Sequence, residues 1–246
     1  MVTIKLAIWG HFPHKSEIEK IKNWKSDLFR ITTINYYNIV GDSDGPNWEF
    51  LDETVEDQLP PRGDADVLVA VTNVPIQDNY FARRFSDYRV CVSYSGMTEI
   101  LNYNNIPQRN LLLRILYSVS LVYKRFGDRI PLMTEITNFT HDETRGCIFD
   151  MDGIKTDIIY STHKPQLCGA CIHDLTNNPI AANRIEVDLI NKIQLELKKI
   201  NKGLYYQITD FIKRYPVWSI VISSITAILL GTVGSILASF IYECIK

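Results

Sequence analysis

The end of this 246-residue chain is defined by what it lacks. From Val217 to Tyr242, 26 residues pass without an Asp, Glu, Lys, Arg, His, Asn or Gln. A bilayer core takes about 20 such residues to cross as a helix, and in lipid a helix satisfies every backbone polar group from within one segment. Other absences narrow the chemistry. The patterns G-x-x-x-x-G-K-[ST], G-x-G-x-x-G and G-x-S-x-G are missing, which excludes the standard P-loop, dinucleotide fold and nucleophile elbow. H-E-x-x-H is also missing, and with it the usual catalytic zinc pair of a metallopeptidase helix. A net charge of −2 gives no global attraction for nucleic acid or acidic lipid, so any anion site must be local. With 46% apolar and 22% charged residues, the composition is that of a folded domain.

The flanks of the apolar run set its expected orientation. Lys198, Lys199, Lys202, Lys213 and Arg214 precede it, whereas Glu243 and Lys246 follow it and cancel. The positive-inside rule then keeps the preceding domain in the cytoplasm. Tyr215, Trp218 and Tyr242 fall where amphipathic rings favour the headgroup region. The expectation is a single-pass tail anchor in the inner (cytoplasmic) membrane with its N-terminal domain in the cytoplasm. Ser223, Ala227, Gly231 and Ser235 recur every four residues, and Gly234 and Ala238 add another step. Small residues at this spacing let helices approach closely in lipid, so a homo-oligomer packed through these six positions is expected. A monomeric anchor is the alternative.

Upstream, alternating apolar residues predict a strand over 2–8. Ser16 with Glu19 reads as a capping box for a helix carrying Ile18, Ile21, Trp24 and Leu28. A second strand is predicted over 31–40, and a long polar loop with one short helix over 41–64. The continuous apolar run 67–71 predicts a central strand covered on both faces; another strand follows at 88–93. Pro107 opens a helix, apolar on most sides, over 111–126. Ile190, Ile193, Leu197, Ile200 and Leu204 step by three and four along a helix predicted over 185–204. This seam suits a short coiled coil or packing on the parent domain. Strands alternating with helices give an α/β (α+β) domain with a mixed sheet, followed by one C-terminal transmembrane helix. The expected divisions are a soluble domain over 1–182, a helical connector over 183–214, and the span with its tail over 215–246.

Among the five cysteines, three sit in a metal-like pattern. Cys168-Gly-Ala-Cys171 is a C-x-x-C turn, Cys147 is a third thiolate, and His141 or Asp142 offers the fourth ligand, with His163 and His173 as spares. Three sulfurs with one nitrogen or oxygen suit tetrahedral zinc; the same C-x-x-C also serves redox dithiols.

This spacing resembles the archaemetzincin family of zinc metallopeptidases, which carries H-E-x-x-H-x-x-G-x-x-H, then C-x4-C-x-M, then C-x-x-C. His141 stands where the third histidine would be, Asp142 replaces the first Cys, Cys147 matches the second, and Phe149 replaces the Met. Cys168 and Cys171 match the closing pair. Val69–Pro75 and Val90–Ser93 look like two of that family's strands. The resemblance covers about residues 1–200 and implies an archaemetzincin-like fold with a structural zinc partly kept. Counting back from His141, Pro131, Leu132 and Glu135 stand where His, Glu and His should be. The resemblance therefore implies a pseudo-peptidase without the catalytic metal.

Arg83, Arg84, Arg89, Arg109 and Arg114 form a basic region in the sequence, and His11 and His14 follow the first strand at a place where α/β folds often bind ligands. Arg favours phosphate and carboxylate through its planar fork, so these residues are candidates for a nucleotide or short oligonucleotide, against the plainer reading of ordinary ion pairs. The layout is similar to membrane effectors of bacterial anti-phage defence, in which a nucleotide signal controls oligomerised spans that act as an ion channel or pore. A partner protein from the same system would fit that layout. The alternatives are a tail-anchored divergent zinc metallopeptidase and an adaptor that recruits a partner to the membrane.

Overall fold

A computed structural model describes residues 1–135, 137–177 and 184–245. It divides into two compact units, Met1–Asn201 and Lys202–Lys246. The first is built on a five-stranded sheet of β1 (Val2–Trp9), β2 (Phe29–Tyr37), β3 (Val67–Thr72), β4 (Ala82–Phe85) and β5 (Arg89–Ser93), in the order β2-β1-β3-β5-β4. The β1/β2, β1/β3 and β3/β5 pairs are parallel; the edge strand β4 is antiparallel to β5. The sheet is thus mixed, as expected.

The apolar run at β3 has the predicted cause. Val67, Val69 and Val71 face the larger core; Leu68 and Ala70 face a smaller one on the opposite side, with Trp9, Phe50 and Val55. Every β3 residue is buried. The helices of this unit are α1 (Lys15–Glu19), α2 (Asp52–Gln58), α3 (Met97–Tyr103), α4 (Gln108–Arg125), α5 (Ile158–Thr162), α6 (Gly169–Asn177) and α7 (Val187–Leu197). Pro107 precedes α4, where its missing N–H costs nothing. Leu112, Leu116 and Leu121 of α4 are fully buried in the larger core.

Two expectations need correction. Ser16 does not cap a long helix. It lies inside the five-residue α1, whose N-cap is His14 without a side-chain cap bond. A 3-10 turn follows at Lys20–Asn23, after which the backbone is extended at Trp24, whose indole N–H donates to Tyr117 Oη at 2.9 Å. This tertiary bond holds Trp24 outside any helix. The seam helix ends at Leu197 rather than continuing to residue 204, and Lys164 N–H donates to Ile200 C=O at 2.6 Å beyond that end. Ile190, Ile193, Leu197 and Ile200 are buried in the domain core, so the seam packs on its parent domain; Leu204 is exposed. The edge strand β4 and helix α3 were also not expected, because Arg83 and Arg84 interrupt the apolar pattern of β4 and α3 is only seven residues long.

The second unit holds α8 (Leu204–Arg214) and α9 (Pro216–Ile245). Within α9, Pro216–Tyr242 is long and apolar enough to cross a membrane, with mean hydropathy 2.2. Helix α7 belongs to the first unit and α8 to the second.

Candidate metal centre

Two segments bring four ligand side chains together. The first is 141–150, which doubles back on itself: His141 bridges Asp150, and Cys147 bridges Gln166. Gly146, just before Cys147, has φ +70, and a Cβ there would stand 3.1 Å from Tyr160 C=O. Glycine therefore permits both the backbone conformation and the close approach. The second segment is the start of α6, with Cys168 just before the helix and Cys171 in its first turn.

The ligand atoms of His141, Cys147, Cys168 and Cys171 all lie within 4.8 Å of one another. Cys147 Sγ is 3.8 Å from Cys171 Sγ, and Cys168 Sγ is 3.6 Å from His141 Nε2. A zinc ion with Zn–S of about 2.3 Å and Zn–N of about 2.0–2.1 Å in a tetrahedron requires S···S of about 3.8 Å and S···N of about 3.5 Å. Both spacings fit, whereas 3.8 Å is far too long for a disulfide. The donor set, three thiols and an imidazole, is one that structural zinc takes.

The surrounding groups orient the donors. His141 Nδ1 is 3.0 Å from Glu143 C=O and 3.4 Å from Asp150 Oδ1. A proton on Nδ1 donated to the Glu143 carbonyl leaves the Nε2 lone pair directed at the thiols, with the Asp150 carboxylate close by as a favourable charge. Asp150 is buried, and its Oδ2 accepts from the N–H groups of Arg145 (3.0 Å) and Cys147 (2.9 Å). Cys168 N–H donates to Cys147 Sγ at 3.5 Å, and Arg145 places a guanidinium N–H 3.6 Å from Cys168 Sγ. Donors of this kind favour thiolates. The Cys147 thiol is pulled down, first by the hydrogen bond with Cys171, against the opposing effect of burial. The same contact pushes Cys171 up.

Asp142 is exposed and is not one of the four clustered residues; His141 stands in the fourth place. His173 is exposed on α6 and lies 3.8 Å from Asp174. Asp150 and Arg145 were missed in the sequence. A carboxylate three residues beyond Cys147 was the available signal for the first.

The arginines are largely paired within the chain. Arg83 contacts Asp78 (2.7 Å) and Asp52 (3.4 Å), Arg89 contacts Glu56 (3.1 Å), and Arg109 contacts Glu17 (3.1 Å). Arg114, fully inside the domain, contacts Asp152 at 2.6 Å and donates to Asp150 C=O. Arg84 differs. Its guanidinium lies over the Phe139 ring at 5.0 Å, and its Nη1 is buried without a hydrogen-bond partner among the described residues. Burial draws its pKa down despite the field of Glu135. It lines a cavity of about 280 Å³ between β4, α4 and the 130–151 segment, with Phe81, Ile115, Val119, Phe139 and Phe149 as apolar walls. The helix on this cavity carries no His, Cys, Asp or Glu anywhere from Gln108 to Arg125. His11 is exposed, and His14 is half-buried with its ring edge to Phe12.

No protein-family profile matches the chain, and no curated protein matches it in sequence. Among solved structures it is similar to the archaemetzincin of Methanopyrus kandleri, at 14% identity and a TM-score of 0.40 over 70% of this chain and 91% of that one. It is also similar to the archaemetzincin of Archaeoglobus fulgidus complexed with malonate, at 13% identity and a TM-score of 0.44 over 69% and 97%. Likeness at this level assigns no chemistry to individual residues, so the metal assignment rests on the four donors and their spacing.

Proposed function

We propose that this protein is a membrane-tethered, non-catalytic domain stabilised by one structural zinc, acting as a binding or signalling module at a membrane surface. The observation that carries the reading is the four-donor cluster of His141, Cys147, Cys168 and Cys171. A catalytic zinc keeps a position open for water or substrate, whereas four protein donors close the tetrahedron. Zinc bound there would supply cross-linking of the 141–150 segment to α6. Arg145 and Asp150 would hold the thiolates and the imidazole in place. Helix α4, which lines the apolar cavity described above, carries no His, Cys, Asp or Glu to hold a second, catalytic ion.

The tether is the Pro216–Tyr242 segment. Its test is alkaline carbonate extraction of membranes from expressing cells. The native chain remains in the membrane fraction. A chain with Ile228→Arg and Leu229→Arg, each costing about 2.5–3.5 kcal/mol at mid-span, becomes extractable. Extraction of the native chain itself would overturn the tether.

The small-residue face of α9, with Ser223, Ala227, Gly231, Gly234, Ser235 and Ala238, supports a finer reading in which spans self-associate. Crosslinking of reconstituted protein tests it: Gly231→Leu with Ser235→Leu should abolish a defined oligomer. A second reading concerns the cavity. Arg84, whose buried Nη1 lacks a partner among apolar walls, favours a ligand with one anionic group and an apolar body over a polyanionic oligonucleotide. A thermal shift with decanoate, absent with decanol and lost in Arg84→Met, would support it. Equal shifts with both ligands would count against it.

A further inference from the structure

The eleven residues of α8, Leu-Tyr-Tyr-Gln-Ile-Thr-Asp-Phe-Ile-Lys-Arg, are neither core nor span. At about 100° per residue, Leu204, Tyr205, Ile208, Phe211 and Ile212 fall within about 120° of arc. Lys213, Asp210, Arg214 and Gln207 occupy the opposite side, with Tyr206 among them. No α8 residue is buried. These five apolar residues are 41–74% exposed, which leaves a contiguous apolar face. The Tyr215 ring that follows packs against Phe211 with centroids 5.5 Å apart, tilted by 48°.

Its neighbour in the chain identifies the occupant. Tyr215 adopts a non-helical conformation, and Pro216 opens α9, so helical geometry is interrupted at the point where the apolar span begins. The residue before a proline is disfavoured in the helical region, which frees α8 from running on as the same rod. Lipid is therefore the apolar medium immediately adjoining this face. The polar side suits a headgroup layer. Lys213 and Arg214 close the helix, and Lys202 contacts Asp210 at 2.8 Å, which offsets its one acidic side chain. A helix with a wide apolar face, a basic polar face and low net hydrophobicity lies in the bilayer interface.

We infer that α8 lies along the membrane surface on the cytoplasmic-flank side of the span, its apolar face sunk into the headgroup boundary and its basic face towards the headgroups and water. The inference rests on α9 crossing the bilayer, and it adds a second, lateral membrane contact that would hold the domain close to the lipid.

The test is site-specific photocrosslinking of the full chain in vesicles of phosphatidylcholine and phosphatidylglycerol. Benzoylphenylalanine replaces Ile208, Phe211, Lys213 or Ile228 in turn, and lipid adducts are read by mass spectrometry. Adducts at Ile208, Phe211 and Ile228, with loss of adduct at Lys213, are the expected result. Adducts at Ile228 but not at Ile208 or Phe211 overturn the interfacial helix and leave the span intact. Protein–protein adducts at Ile208 and Phe211 also overturn it, in favour of a second copy. No adduct at Ile228 removes the span, and the inference with it.

Discussion

Cys168 Sγ and His141 Nε2 stand 3.6 Å apart, although 27 positions separate them in the chain. That distance suits two ligands of one tetrahedral zinc ion, and it ties the 141–150 segment to the start of α6. Replacing either residue should therefore uncouple the two segments. His141→Ala and Cys168→Ser are expected to lose most bound zinc and to lower the thermal midpoint. Asp142→Ala should keep both, because Asp142 is exposed and stands apart from the cluster. Metal content and melting curves of the three variants decide this.

Asp150 supports the site from behind. Its carboxylate lies 3.4 Å from His141 Nδ1 and accepts the Cys147 N–H at 2.9 Å. Groups in this position typically contribute about 10–100-fold in metal affinity. Asp150→Asn should weaken zinc binding by about that factor while leaving the stoichiometry unchanged, as a competition titration with a zinc chelator would show.

A separate polar network fastens α7 to the rest of the domain. Glu196 Oε2 accepts from Tyr117 Oη at 2.6 Å and from Ser26 Oγ at 2.7 Å; its Oε1 accepts the Asp27 N–H at 2.8 Å. Hydrogen bonds to a charged group contribute about 1.5–3 kcal/mol. Glu196→Ala should cost about 2–3 kcal/mol of stability and speed amide exchange in α7, with zinc content unchanged.

Cys91 gives a pH signature. It is fully buried in β5, and burial, aided by the charge of Asp52, pushes its thiol up to about 12 from an ordinary value of 9.0. The folded state thus retains a proton that the unfolded chain releases. The associated stability is complete below pH 9 and is lost as pH rises through about 12. The slope approaches about 1.4 kcal/mol per pH unit within that window. Iodoacetamide at pH 8 should leave Cys91 unmodified in the native chain and label it after denaturation. Denaturation midpoints should fall above pH 9, and less steeply in Cys91→Val.

Much of this architecture is legible in the sequence because single segments carry it. The run at β3, the apolar helix after Pro107 and the uncharged stretch from Val217 each contain their own evidence. The clustering of three cysteines is also foreshadowed, because C-x-x-C and Cys147 mark themselves by spacing. The errors lie where a distant contact decides the local structure. Ser16 and Glu19 match a capping box, yet Trp24 is drawn to Tyr117 and the helix ends early. The seam from Ile190 stays periodic to Leu204, but the chain leaves the helix at Leu197 and meets Lys164 beyond it. The arginines look like one basic region when read in a line. In space Asp52, Glu17, Glu56 and Asp152 each take one of them, and Arg84 instead lies over the Phe139 ring.

The most direct test of the whole account is the metal content of the full-length protein, purified in detergent without chelator, together with the visible spectrum of its cobalt-substituted form. The account predicts about one zinc per chain and a cobalt spectrum with the thiolate charge-transfer bands of a tetrahedral, sulfur-rich site, both abolished by Cys147→Ser with Cys171→Ser. A chain that binds no zinc would contradict the structural-metal assignment. A second bound zinc that persists in the double variant would contradict the non-catalytic reading.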